Sequence, residues 1–557
     1  MKKSIFVVLI LMLPLGLWAQ TVSVDATNGA PDNTTTFNSL QIAITSFQAS
    51  GDVTAGTNGG GVGNNHGNVA ADIINIISAA PIDEAIFIDA QATAAAGLHV
   101  LDEDLVIQGS SVTAIVALKQ TGFGTIANDC GLFWRQDVDL TLKDIIFIPS
   151  LSNTPADDAL YFRSTTNAQD TIVNVENVTV TSNNGSNAPI ITTGLEDGAA
   201  VEALLDAPGT VGFGDDGIYV VSRLEGGSIT MNATKLIISA FNETFTMDPA
   251  RTGELASDGI MVFMSGAITD IINAFLNLNE GCVISQVPRF GIQNPYGGYL
   301  KINGTHANPV ILYNCHSDGI WNFSSLAAPT QATICEVNNC IIVNCDGTGI
   351  KEQEDAGRGF VKSVTNTIIA NCMMPGIELY ANGVLPPGVT DTVTIDNVTI
   401  HNCGYNPGTD VLYDFRGAAI ASPTYSTTYK SNRNVAITDT IITGLGLTGI
   451  YNSSTGTYTV DFSSLVTENM TGYAYMLGSQ TAGTSLITLG GDVIDKNPRY
   501  VTYADADFAS TNYMDVDNSG FGGKGTAGSD LAGGADYIGS WSPPVPLSVN
   551  GHWALYE

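Results

Sequence analysis

The sequence predicts an all-β solenoid, and three observations predict it. A phrase returns along the middle of the chain: an apolar run ending in Asn-Cys, then Gly-Ile a few residues later. Its clearest copies are Ile311-Leu312-Tyr313-Asn314-Cys315 with Gly319-Ile320, Ile341-Ile342-Val343-Asn344-Cys345 with Gly349-Ile350, and Ile368-Ile369-Ala370-Asn371-Cys372 with Gly376-Ile377. Copies recur roughly every 30 residues, the self-similarity of units that bury an apolar face only by stacking on their neighbours. The composition agrees: 44% of residues are hydrophobic, only 13% are charged and there are 60 glycines, which suits many short strands and turns over long charged helices. The aligned copies also alternate as strands do. Four residues before the Asn position stand Cys282, Val310, Cys340, Thr367, Val398 and Thr440, and two before it Ile284, Leu312, Ile342, Ile369, Ile400 and Ile442. These columns are expected to share the inner face, with Ser285, Tyr313, Val343, Ala370, His401 and Thr443 facing outward.

Taken in order, residues 1–19 read as a secretory signal: Lys2 and Lys3, an apolar core from Ile5 to Trp18, then Ala19 before a cut ahead of Gln20. That run is short for a membrane span, and no later stretch is long and apolar enough for one. The expectation is a secreted or surface-bound protein with a solenoid over 20–540 and a tail over 541–557. Thr21-Val22-Ser23-Val24-Asp25 reads as a strand. Phe37, Leu40, Ile44 and Phe47 then have helical spacing, predicting an amphipathic helix over 36–49 that caps the open first coil. Residues 51–68, rich in glycine, read as a loop. A further apolar segment, Ala71 to Ala80, precedes strands at Ala85-Ile86-Phe87-Ile88 and Leu105-Val106-Ile107. Weaker copies of the repeat follow at Ile145–Ile148, Val178–Val180 and Leu236–Ile238.

The Asn column, continued by Gln286, Asn402 and Gly444, predicts a stacked amide ladder, because coils about 4.8 Å apart let each amide donate to one neighbour and accept from the other. The Gly that follows is expected to permit the bend. Eight cysteines in an exported chain first suggest disulfides. Yet Cys315, Cys345, Cys372 and Cys403 each follow the ladder position, where a thiol serves as a small buried hydrophobe. Bridges between neighbouring coils stay open on this reading. No C-x-x-C pair or histidine spacing suggests zinc.

The formal charge of −34 and a pI near 4.1 argue against nucleic acid, since only 20 Lys and Arg are scattered over the chain. Acidity reads as a solvated surface, or as Ca²⁺ binding through carboxylates. Asp215-Asp216, Asp258 and Asp318 precede Gly-Ile and read as turn residues.

With the opening Val-Asp-x-Thr-Asn-Gly phrase at 24–29, the Leu-Val-Ile-Gln-Gly-Ser run at 105–110, the Asn and Gly-Ile coils and the closing Asn497–Tyr500 to Asp536–Gly539 region, the chain resembles the right-handed parallel β-helix (pectin lyase-like) superfamily. The resemblance implies a right-handed parallel β-helix and a secreted bacterial protein that meets polysaccharide. Members include pectate lyases, polygalacturonases, alginate lyases and non-enzymatic adhesins. The motifs that mark the catalytic members are missing: no Asn-Thr-Asp, Gly-His-Gly or Arg-Ile-Lys of polygalacturonases, no Asp-Pro-His-Glu of mannuronan epimerases, no Arg-x-Pro-x-x-Arg of pectate lyases. Of the polygalacturonase set only paired Asp occurs, at Asp157-Asp158 and Asp215-Asp216.

Candidate chemistry lies on the strand after each Gly-Ile. Its outer column carries Tyr219, Met261, Gln293, Trp321, Lys351, Glu378 and Tyr451, and two residues on stand Phe323 and Tyr380. Trp321, Phe323 and Tyr380 offer ring faces that suit sugars, with His401 as a further outward contact, or else they pack beneath a covering loop. The run Lys351-Glu352-Gln353-Glu354-Asp355-Ala356-Gly357-Arg358-Gly359, with Lys362, reads as a solvated loop stitched by salt bridges. As a catalytic reading, Lys351, Arg358, Lys362 and Glu378 would neutralise a uronate and abstract its α-proton. Two functions follow: a polysaccharide-binding protein, or a polysaccharide lyase or hydrolase acting on uronate-rich glycans.

Overall fold

The computed structural model describes residues 21–461 except 29–34, 48–70, 92–99, 102, 111–113, 122–129, 153–155, 157, 166–168, 192–197, 224–226, 242–257, 266–272, 325–332, 355–358, 381–391, 405–416, 424–432, 444–447 and 453–456, and beyond them short strands only. The proposed signal, Arg358 and the closing 497–540 region lie outside the described residues. The predicted tail contributes a small antiparallel pair, Ser548–Asn550 with Trp553–Leu555.

The chain is a right-handed parallel β-helix. Each full coil contributes three strands, and every strand pairs in parallel with its counterparts on the coils before and after. In one coil, Thr333–Asn338 belongs to a first ladder, Cys340–Val343 to a second and Ile350–Glu354 to a third. They pair back to Gly298–Asn303, Val310–Cys315 and Ile320–Ser324 of the preceding coil. The third ladder forms its own 12-stranded sheet, running from Ile86–Asp89 to Tyr473–Leu477. The first and second merge into one 25-stranded sheet, because Gly359–Ala370 and Thr392–His401 run through the bend without a break.

Side-chain alternation places the core. Cys282, Val310, Cys340, Thr367, Val398 and Thr440, with Ile284, Leu312, Ile342, Ile369, Ile400 and Ile442, are all fully buried. Ser285, Tyr313, Val343, Ala370 and His401 point to the outer side as expected, yet they too are buried. The other outer positions of the second ladder are equally apolar, Ile237, Val283, Ile311, Ile341 and Ile368 among them, so this is not a water-facing surface.

After the second ladder the Asn position, and not the Gly that follows it, makes the bend. Gln286, Asn314, Asn344, Asn371 and Asn402 have φ between 52° and 58°, the left-handed region that Asn tolerates better than branched residues. The amides do stack: Asn314 Nδ2 donates to Gln286 Oε1 at 2.6 Å, and Asn402 Nδ2 to Asn371 Oδ1 at 2.9 Å. A second column, absent from the sequence reading, bends the first ladder into the second through Asp144, Asn177, Lys235, Asn339, Asn366, Asn397 and Asp439, with φ between 48° and 55°. Its amides stack as well, Asn397 Nδ2 on Asn366 Oδ1 at 2.7 Å. The repeated Gly has a different task. A Cβ on Gly319 would stand 2.7 Å from Gly349 O, 2.8 Å from Ile342 Cγ2 and 3.3 Å from Cys345 Sγ, so glycine there makes room for the next coil. The Cys sulfur fills the space beside it, which ties Cys and Gly together in the phrase. All eight cysteines are buried free thiols.

The cap is shorter than the sequence suggested. Thr36–Phe37 is a strand paired with Ser23 and Val24, and the helix α1 spans Leu40–Thr45. Ser39 caps it, and the Glu84 carboxylate accepts from Leu40 N and Gln41 N at the helix start. Gln41 then completes the exposed edge of the third ladder: its Nε2 donates to Phe87 O at 3.1 Å and its Oε1 accepts from Phe87 N at 2.8 Å. The segment Ala71 to Ala80 is already part of the solenoid, since Asp72–Ile76 pairs with both Thr21–Val24 and Leu105–Gly109.

Candidate functional site

Among the described residues, stacked rings stand in two places on the outer face of the third ladder. Toward the N-terminal end, Phe87, Phe133, Tyr161 and Tyr219 stack coil on coil, with ring centroids 5.1, 5.3 and 4.8 Å apart, and the first three are buried. Farther along, Trp321 and Phe323 are half-buried and stack at 4.6 Å, with Phe290 4.5 Å from Trp321. The Arg289 guanidinium lies 4.3 Å above Phe290 and 5.7 Å from the Trp321 ring, a cation–π arrangement.

Strand register sets what stands beside these rings. Trp321 and Phe323 lie against Lys351 and Gln353 of the next coil, and Lys351 lies against Glu378 of the one after. Trp321 Nε1 donates to Gln353 Oε1 at 3.1 Å, which fixes the indole. Lys351 Nζ is 3.8 Å from Asp318 Oδ2. Burial pushes the Asp318 pKa up and the Lys351 charge partly offsets that. Glu378 is 1% exposed, with Thr348 Oγ1 at 3.5 Å from its Oε2. The structure therefore brings Trp321, Phe323, Lys351 and Glu378 together on three successive coils. Tyr380, whose N–H donates to Glu352 O at 3.1 Å, belongs to the same strand edge as Glu378 but is buried.

Two proposed residues lie on other faces. His401 is on the outer side of the second ladder, buried, and burial drives its pKa down to about 4. Lys362 is on the first ladder, where Glu336 accepts from its Nζ and also from Tyr299 OH, the latter at 2.7 Å. The ladder register slips there: Cys335 pairs with Val361 but Glu336 with Ser363, so Lys362 is the extra residue of a β-bulge.

The run 351–359 is not simply a solvated loop. Ile350–Glu354 is a strand, and alternation turns Glu352 into the core, fully buried. The bulge explains why a carboxylate is there. Val361 N donates to Glu352 Oε2 at 2.6 Å, and Val361 O accepts from Arg433 Nη2 at 2.7 Å. Arg433 is itself buried, its Nε 3.8 Å from Glu352 Oε2 and its guanidinium 5.2 Å from the Phe360 ring. An ion pair thus replaces the ladder partners that the bulge removes. Sequence reading missed Arg433 because one arginine outside any repeat column gives no signal.

No protein-family model and no curated protein matches the chain. Solved structures similar to it include two mutants of the periplasmic alginate epimerase AlgG, each 10% identical, with TM-scores of 0.38 and 0.35, covering 76% of this chain and 76% and 77% of theirs. Another is the A-module of the Azotobacter vinelandii mannuronan C-5 epimerase AlgE6, 10% identical with a TM-score of 0.39, covering 77% of this chain and 92% of that one. Likenesses so distant say nothing about reaction or substrate.

Proposed function

We propose that the protein engages polysaccharide along the outer face of the third ladder, outside the cytoplasm. The observation that carries this is the placement, on adjacent coils, of a half-buried aromatic pair, Trp321 and Phe323, beside Lys351, Gln353 and Glu378. Aromatic faces cover the apolar side of a sugar ring while the half-buried amide and ammonium groups hydrogen-bond its hydroxyls, the buried Glu378 standing behind Lys351. Coils spaced about 4.8 Å apart repeat such contacts along one line, as an elongated chain requires. The N-terminal signal reading supports export, and among the described residues no helix is long and apolar enough to cross a membrane. A glycan array spanning neutral and uronate-rich chains, with and without Ca²⁺, tests the proposal. Saturable binding to at least one glycan is expected, and no signal on any would reject it.

A second reading, a lyase acting on uronate-rich glycans, is favoured by one observation: Lys351 lies between the buried carboxylate of Asp318 and Glu378, where a cation could meet a uronate and a base its α-proton. Lys362 takes no part in this version, since it faces Glu336 on another side of the solenoid. Ultraviolet absorbance of an unsaturated product on pectate, alginate or glycosaminoglycan is the test.

A further inference from the structure

Away from the Trp321 patch, three carboxylates meet where two successive coils enter the third ladder. Asp158 precedes the strand Leu160–Arg163, and Asp215 and Asp216 precede Ile218–Arg223, its partner on the next coil. Asp158, Asp215 and Asp216 each present an oxygen within 4.8 Å of the other two. The backbone holds two of them in place. Asp216 N donates to Asp158 Oδ1 at 3.1 Å, and Asp258 N donates to Asp216 Oδ1 at 3.0 Å.

One oxygen of Asp216 is thereby used and the other is not. Asp216 Oδ2 is buried without a hydrogen-bond partner, in a side chain that is 1% exposed. Leaving a carboxylate oxygen unmet in the interior is costly, as it also is for Asp258 Oδ2 on the next coil, but only at Asp216 do two further carboxylates stand within reach of a shared ion. A column in which each aspartate accepts the next coil's backbone N–H accounts for Asp158 and Asp216 standing one above the other, as it does for Asp258 and Asp318. It does not account for Asp215, whose carboxylate comes within 4.8 Å of both.

We propose that Asp158, Asp215 and Asp216 bind a hard divalent cation, Ca²⁺ by preference. The donor set is oxygen only, which suits Ca²⁺ and Mg²⁺ over zinc. Three oxygens evenly spread and each about 2.4 Å from one Ca²⁺ stand at most about 4.2 Å from one another, so separations within 4.8 Å need at most a small closing of the carboxylates, and Ca²⁺ accepts irregular contacts that octahedral Mg²⁺ does not. The ion would clamp one coil to the next, independently of any glycan.

Calorimetric titration of the whole protein with Ca²⁺, at physiological ionic strength after chelator treatment, tests this. One saturable site is expected, together with a rise in Tm on adding Ca²⁺. Asp215→Asn, at the half-buried member, should weaken binding by at least about tenfold and abolish the Tm rise. Asp346→Asn, at an exposed carboxylate on another turn, should change neither. Asp158→Asn serves as a second variant should Asp215→Asn fail to fold. Absence of a saturable site, or a site untouched by both variants, would overturn the proposal. So would a metal-indifferent protein whose stability rises on acidification in a way that Asp216→Asn removes, because a proton would then occupy the place given to the ion.

Discussion

At the residue scale the bends concentrate two demands on one side chain. Asn371 holds φ at 55° and its Oδ1 accepts from Asn402 Nδ2. Asn371→Gly keeps the backbone free to turn and loses only the amide, whereas Asn371→Ala loses the amide and strains the turn. The expected order of Tm is therefore wild type, then Gly, then Ala, with Ala costing about 1–3 kcal/mol. Equal loss in both variants would show that the amide stack alone matters. His401 gives a pH prediction. Burial holds its folded pKa at about 4 against an ordinary 6.5, so the neutral form is the one that folds. Its contribution is complete above pH 6.5 and is lost as pH falls toward about 4, because the unfolded chain takes up the proton first. Asp318 has the opposite sign. Its pKa is raised, so its contribution is present below the ordinary carboxylate value of 3.8 and lost as pH rises through the folded value. The two slopes oppose, and His401 must be read by difference. Stability of His401→Gln, measured by denaturation across that window, should fall less steeply toward acid than wild type.

At the element scale the instructive features are those where regular pairing stops. Gln41 supplies the first strand of the third ladder with the donor and acceptor that a preceding coil would have given. Gln41→Ala should speed hydrogen exchange at Phe87 well beyond that of Phe133 on the next coil. The bulge at Lys362 is closed from inside by Glu352 and Arg433. Removing one partner strands the other, so Glu352→Ala should cost about 3–5 kcal/mol, and a Glu352→Ala/Arg433→Met double variant should recover part of it. These points also show where the sequence could be read and where it could not. The inner columns and the second-ladder Asn column repeat in register, so periodicity alone finds them. The first-ladder bend mixes Asp, Asn and Lys, which blurs the same signal. A bulge shifts register by one residue and hides inside an ordinary strand. That is why Glu352 read as solvated and Lys362 as a neighbour of Lys351.

At the scale of the whole molecule, one continuous core runs through the stacked coils, and what differs along the solenoid is its outside. The outer side of the second ladder is apolar and buried, the first carries polar and charged side chains, and the third carries aromatics beside Lys351 and Glu378. Of the candidate site, Trp321, Phe323, Lys351 and Glu378 were legible because two outward columns after each Gly-Ile list them. The separation of Lys362 and His401 onto other faces was not, since linear spacing cannot say which of three sheets a strand joins. This separation makes the central claim testable in one comparison. Affinity for the best glycan from the array is measured for wild type, Trp321→Ala and Lys362→Ala. The account predicts that Trp321→Ala lowers affinity by at least about tenfold, the worth of an aromatic contact, while Lys362→Ala leaves it unchanged. Loss of binding with Lys362→Ala and full retention with Trp321→Ala would contradict it, and would move the site to the first ladder around Glu336 and Tyr299.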